Sequence, residues 1–312
     1  MKVENSPELR DEILRLKREK DAVILAHYYQ TGDIQDIADF IGDSLALAQI
    51  AATLPNKIIV MCGVHFMGET VKILCPDKKV LVPDMEAGCS LADSCDADEF
   101  AAFIAGHPGH TVISYVNTSA RVKALTDIVV TSGNAMKIVK SLPEDEKIIF
   151  GPDRNLGNYI NSETGRQMVL WNGACHVHEK FSLERILELK KVHPGARLLV
   201  HPECRPQLRM LADKVGSTAV LLKYACEDDA QEFIVATESG ILHEMRKKCP
   251  QKTFIAAPAD DSTCACNECS YMKLNTMEKL RDCLRDEQPE IHVDAAIIDR
   301  ARRPITRMLE LS

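Results

Sequence analysis

Two cysteines, Cys89 in 83-PDMEAGCSLAD-93 and Cys175 in 172-NGACHVH-178, stand 86 residues apart, each in a small-residue segment that follows an apolar run. A third candidate of the same kind is one of Cys264, Cys266 or Cys269 in 262-STCACNECSYM-272. Cys175 and Cys269 are 94 residues apart; a loop of twelve residues from Ala257 to Cys269, against four from Trp171 to Cys175, accounts for the excess. Thiolates from three separate segments suit a cubane iron–sulfur cluster whose fourth iron has no protein ligand. Electron-transfer clusters take four cysteines, often in a tight C-x2-C-x2-C run that is absent here. An iron with an open position is a Lewis acid toward a hydroxyl or carboxylate, which dehydration chemistry needs. Zinc stays open on the same residues. Cys266 to Cys269 is a C-x-x-C that could be half a zinc site or a redox pair, and Cys175-His176-Val177-His178 offers zinc ligands. A zinc-binding interaction module is therefore a rival to an enzyme.

Of the remaining cysteines, Cys62, Cys75, Cys95, Cys204, Cys226, Cys249 and Cys283 are expected to be small buried packing residues. His65, His107, His110, His193, His243 and His292 are expected to be structural as well.

Polar residues recur at the same period. His27 in 25-LAHYYQ-30, Tyr115 in 113-ISYVNT-118 and His201 in 199-LVHPEC-204 each close an apolar run and are spaced by 88 and 86 residues. Ser44, Ser132 and Ser217, with Thr218 beside the last, are spaced by 88 and 85 and are expected to open helices. A hydroxyl at such a place is most simply an N-cap. Three helix N-termini aimed at one cavity would also make an anion site from free N–H groups and helix dipoles.

The elements that must carry these residues are short apolar runs: 23–26, 58–61, 80–82, 111–115, 127–131, 147–150, 168–171, 198–201, 217–220, 233–236 and 253–257. They are continuous rather than alternating, as in parallel strands buried on both faces. The segments between them, such as 44–52 and 133–140, read as helices. The fold expected is α/β: three similar α/β domains with small parallel sheets around a pseudo-threefold axis, plus terminal helices. The expected units are 1–104 with an N-terminal helix, 105–191, 192–275, and a C-terminal helical segment 276–312. Ser6-Pro7 is expected to cap the first helix, with Leu9, Ile13, Leu14 and Leu16 on one face. Ligands of parallel sheets bind beyond the carboxyl ends of the strands, so the matched residues should meet in one central cavity.

The formal net charge of −8 and an aromatic content of 5 % argue against a nucleic-acid partner, which calls for a basic stripe with interleaved aromatics. No apolar run is long enough for a bilayer. The charged first twenty residues do not read as a signal peptide. A cytoplasmic location is expected, with thiols kept reduced.

The words 25-LAHYYQ-30, 42-GDSLALA-48, 60-VMCGVHFMGETVKIL-74, 84-DMEAGCSLAD-93, 115-YVNTSA-120, 149-IFGPDRNLG-157, 172-NGACHVH-178, 201-HPEC-204 and 269-CSYMKLN-275, in this order and over nearly the whole chain, resemble the quinolinate synthase family. One departure is Ser270, where the family usually has proline after the third cluster cysteine. The resemblance implies condensation of iminoaspartate with dihydroxyacetone phosphate to quinolinate, phosphate and water, in NAD biosynthesis, with a [4Fe-4S] cluster. It makes Cys89, Cys175 and Cys269 the ligands, Cys269 being chosen because it directly precedes the Ser-Tyr-Met-Lys word. It implies substrate contacts from His27, Ser44, Tyr115, Asn117, Ser132, His178, His201, Glu203, Ser217 and Thr218. It implies proton transfers by Tyr29 and Glu203, with His201 and His27 as further candidates. The enzyme that supplies iminoaspartate is a possible partner. The same three-unit, three-cysteine plan resembles a reductase of a hydroxylated isoprenoid diphosphate, whose characteristic words are not these.

Overall fold

The computed structural model describes residues 7–260 and 267–312; Ser6, Cys264 and Cys266 lie outside them. Twelve strands form three separate four-stranded sheets. The first contains β1 (Ala22–His27), β2 (Phe40–Gly42), β3 (Ile58–Cys62) and β4 (Lys79–Leu81). The second contains β5 (Thr111–Tyr115), β6 (Ile128–Val130), β7 (Ile148–Gly151) and β8 (Val169–Leu170). The third contains β9 (Arg197–Val200), β10 (Lys214–Val215), β11 (Glu232–Ala236) and β12 (Thr253–Ala256).

Each sheet is parallel and has the same order, with its first strand flanked by the second and third: β2-β1-β3-β4, β6-β5-β7-β8 and β10-β9-β11-β12. The chain leaves the first strand toward one edge and returns toward the other, so a topological switch point lies at the carboxyl end of β1, β5 and β9. Every residue of β1 is buried, which is why its sequence is an apolar run without alternation.

The repeat reaches to single hydrogen bonds. Asp39, Asp127 and Asp213 each precede the second strand of their sheet. Their carboxylates accept the N–H groups of Ile24, Val112 and Leu198 at 2.8, 2.8 and 2.7 Å. Their own N–H groups donate back to the carbonyls of the same three residues, each at 2.9 Å. An aspartate before a strand reads as a loop residue; here it pins the first strand to the chain entering the second.

Two expectations fail. The run 217–220 is not a strand: Ser217 is the N-cap of helix Thr218–Glu227, its side chain accepting from the N–H of Val220, and β10 lies earlier at Lys214–Val215. β2 was not expected at all, being three residues long with an exposed Phe40.

Helix Pro7–Glu19 buries Ile13 and Leu16 and packs against helix Met277–Asp286. Helix Ala295–Leu311 crosses from the first sheet's helix His65–Leu74 to β6 and helix Ala120–Lys123. It thereby ties two sheets into one core that includes Leu25, Met61, Ile113, Phe150 and Ile305. No helix among the described residues is long and apolar enough to cross a membrane.

Candidate functional site

His27 and Tyr115 are the last residues of β1 and β5, and His201 follows β9 directly. With Tyr29, Asn117 and Glu203, two residues further on in each case, they converge on one cavity. Its walls also carry Ser44, Ser132 and Thr218, and Cys89, Cys175 and Cys269. Each of the first three triples keeps the 88- and 86-residue spacing, so the three sheets present equivalent strand ends to a common centre. His178 lines the same cavity.

Ser217 does not. It is buried and caps its helix, and the register places Thr218 rather than Ser217 opposite Ser44 and Ser132. Ser44 and Ser132, by contrast, are not caps. Ser44 is the first residue of helix Ser44–Thr53, which Asp43 caps by accepting from Ala46. Ser132 sits in the turn before helix Ala135–Ser141. Ser217→Ala should therefore lower unfolding free energy by about 1 kcal/mol in denaturant titration, as loss of an N-cap does. Its apparent substrate affinity should stay at the wild-type value; a KM effect as large as that of Thr218→Ala would return Ser217 to the cavity.

The polar centre is a chain of contacts. The Tyr115 hydroxyl donates to Glu203 Oε1 at 2.5 Å. Glu203 Oε2 lies 3.1 Å from His178 Nδ1, and His178 Nε2 pairs with Thr237 Oγ1 at 2.9 Å. Thr237 Oγ1 also pairs with the Tyr29 hydroxyl at 2.7 Å, and that hydroxyl reaches Thr218 Oγ1 at 2.9 Å. His178 stacks on His201 with centroids 4.5 Å apart.

Electrostatics follow from burial and these neighbours. Burial pushes Glu203 up, but His178, His201 and the Tyr115 hydrogen bond outweigh it and hold the carboxyl down at about 2. Glu203 is thus a carboxylate at neutral pH. Burial brings His27 and His201 down to about 3, which leaves both imidazoles neutral. Burial raises Tyr29 and Tyr115 well above the ordinary phenol range, so both stay protonated as donors.

All three cysteines begin a helical turn: their carbonyls accept from the N–H of Asp93, Glu179 and Lys273 at 2.8, 3.0 and 3.2 Å. Burial raises all three thiols, Cys89 to about 12 and Cys175 well above the usual range, and the neighbouring cysteines add to it for these two. Cys175 Sγ, His178 and Glu203 offer ligand atoms within 4.8 Å of one another, so the cavity can hold a metal.

Reading the sequence missed Thr237, Asp153 and Glu238. Asp153 and Glu238 stand two residues beyond the third strands of their sheets and are buried. Asp153 Oδ2 accepts the N–H of Cys175 at 3.3 Å, and Glu238 Oε1 accepts the N–H of Cys269 at 3.1 Å. Lys273 neutralises Glu238 at 2.8 Å. The repeat does not flag them, since the first sheet has Val64 at the same place. His65, His107, His110, His193, His243 and His292 do not line the cavity.

A family model described as quinolinate synthetase A protein matches residues 11–310. The chain is 59 % identical over 297 residues to a quinolinate synthase of Thermosynechococcus vestitus, covering 95 % of this chain and 93 % of that one. It is 57 % identical over 300 residues to one of Microcystis aeruginosa, covering 96 % and 94 %. It is 54 % identical over 305 residues to one of Chloroherpeton thalassium, covering 98 % and 95 %.

Proposed function

The chain belongs to the quinolinate synthetase A family, and on that premise we propose that its cavity condenses iminoaspartate with dihydroxyacetone phosphate to quinolinate, phosphate and water. The chain is an enzyme of quinolinate synthesis in NAD biosynthesis. The observation that carries the reading is the meeting of Cys89, Cys175 and Cys269, one following the fourth strand of each sheet, with Glu203 and Tyr29 in one cavity. The division into units 1–104, 105–191, 192–275 and 276–312 belongs to the same proposal, supported by one complete sheet in each of the first three.

Cys89, Cys175 and Cys269 would hold a [4Fe-4S] cluster, and the donor set fits it. Three half-buried cysteines, whose thiols desolvation keeps protonated, lose their protons together only against a strongly cationic core. Asp153 and Glu238, by fixing the N–H groups of Cys175 and Cys269, hold two of those ligands in place. The bound cluster supplies a Lewis-acidic iron with a free position, suited to loss of water from a hydroxylated intermediate.

The chain's own residues do the rest. Asn117 and Tyr115 offer amide and hydroxyl donors to the carboxylates of iminoaspartate. An arriving carboxylate competes with Glu203 for the Tyr115 proton, and Glu203 becomes a stronger base as it loses that donor. Thr237 joins His178 to Tyr29 as a path of exchangeable protons, and His178 Nδ1 stands 3.1 Å from Glu203. Neutral His27 and His201 can each accept or donate. The first residues of helices Ser44–Thr53 and Thr218–Glu227, with Ser132, present hydroxyls and the positive ends of helix dipoles to the phosphate.

Ser132→Ala and Thr218→Ala should weaken triose-phosphate use at a cost of about 1.5–3 kcal/mol each, the value of a hydrogen bond to a charged group. Cluster absorbance should stay unchanged, and Thr218→Ser should recover most of the loss. Unaltered KM and kcat in both alanine variants would remove the phosphate from this end of the cavity. The reaction is tested by incubating anaerobic protein with iminoaspartate and dihydroxyacetone phosphate and measuring quinolinate by chromatography. Formation that depends on both substrates supports the proposal; none from cluster-loaded protein would overturn it.

A further inference from the structure

Cys249 packs in a core as expected, but Cys226 does not. Their Sγ atoms lie 2.7 Å apart; Cys226 is exposed and Cys249 is buried beneath it. Cys226 is in the last turn of helix Thr218–Glu227, and Cys249 is the C-cap of helix Ile241–Lys248. One helix starts at Thr218, which lines the cavity, the other three residues after Glu238, which also lines it, and both end at this pair. We propose that Cys226 and Cys249 are a reversible redox site, forming a disulfide that clasps the outer ends of these two helices. The arrangement is that of an accessible thiol with a resolving partner behind it. Burial and the neighbouring Cys249 hold the Cys226 thiol up at about 11 against the pull of Lys248 and Lys252, so exchange should speed up as pH rises. The co-reactant is a low-molecular-weight disulfide. The Cys226 thiolate attacks one of its sulfurs, forming a mixed disulfide and releasing one thiolate. The Cys249 thiolate then attacks Cys226 Sγ and expels the second. Two protein thiols are oxidised, one small disulfide is reduced to two thiols, and the two cysteine protons pass to them.

The bond would close a loop of about two dozen residues, a length at which cross-linking restricts the unfolded chain appreciably. The test uses anaerobically purified holoprotein treated with oxidised glutathione, then alkylated and mapped by mass spectrometry. The expected product is one cross-linked peptide pair containing Cys226 and Cys249, two hydrogens lighter than the reduced pair and restored by dithiothreitol. The oxidised protein should unfold about 5 °C higher than the reduced one. Cys226→Ser and Cys249→Ala should show neither change. Stable glutathionylation of Cys226 without the cross-link would overturn the proposal. A cross-link that leaves the unfolding midpoint unmoved would overturn the clasp.

Discussion

Serine at Cys89, Cys175 or Cys269 should leave a folded protein that binds no stable cluster and makes no detectable quinolinate. A hydroxyl stays protonated and is a poor ligand for a soft iron–sulfur core. Losing one of three ligands also leaves two neighbouring irons uncoordinated by protein. The three variants should lose the visible absorption of the cluster to the same extent, because equivalent ends of three sheets deliver the thiols to one cavity. Cys264→Ser and Cys266→Ser should keep it. Iron content and absorbance after anaerobic reconstitution decide between them: a full cluster in Cys269→Ser together with its loss in Cys266→Ser would move the third ligand three residues upstream.

Glu203→Gln should keep the cluster and the fold and lose nearly all turnover. The amide preserves shape and can still accept from Tyr115 at the position Oε1 now holds. It removes the only group of the Tyr115–Glu203–His178–Thr237–Tyr29 chain that is a carboxylate at neutral pH. A general base contributes about 10²- to 10⁴-fold, so kcat should fall by about that factor. Cluster absorbance should remain, and adding a substrate-like dicarboxylate should still perturb the iron spectrum. Near-wild-type kcat would take Glu203 out of the proton transfers.

The central strands were legible because burial on both faces writes them as unbroken apolar runs: β1, β5, β9 and β11 all appear in the sequence. β2 and β10, of three and two residues, leave no such run. The segment 217–220 was misread because a small, β-branched helix start looks like a strand; the N-cap geometry of Ser217 decides the matter. The site residues at the ends of β1, β5 and β9 were legible through their period. The family words supplied Tyr29, Asn117 and Glu203, which the register then shows to be a matched triple.

What stayed hidden was the support behind them. Thr237 looks like the start of a loop, and nothing local reveals that it joins a tyrosine from the first sheet to a histidine following the second. Asp153 and Glu238 hold Cys175 and Cys269, which follow the fourth strands of their sheets, 22 and 31 residues downstream. Such contacts exist only once the sheets are folded. Cys226 and Cys249, 23 residues apart, pair because two helices that leave the cavity end side by side.

Iron and acid-labile sulfide, counted together on anaerobically purified protein that is active for quinolinate, test the central claim most directly. The account predicts brown protein with about four irons and four sulfides per chain, zinc absent at stoichiometric level, and activity in proportion to iron. Colourless, active protein with one zinc per chain would place the metal on Cys175, His178 and Glu203 and contradict the three-cysteine cluster.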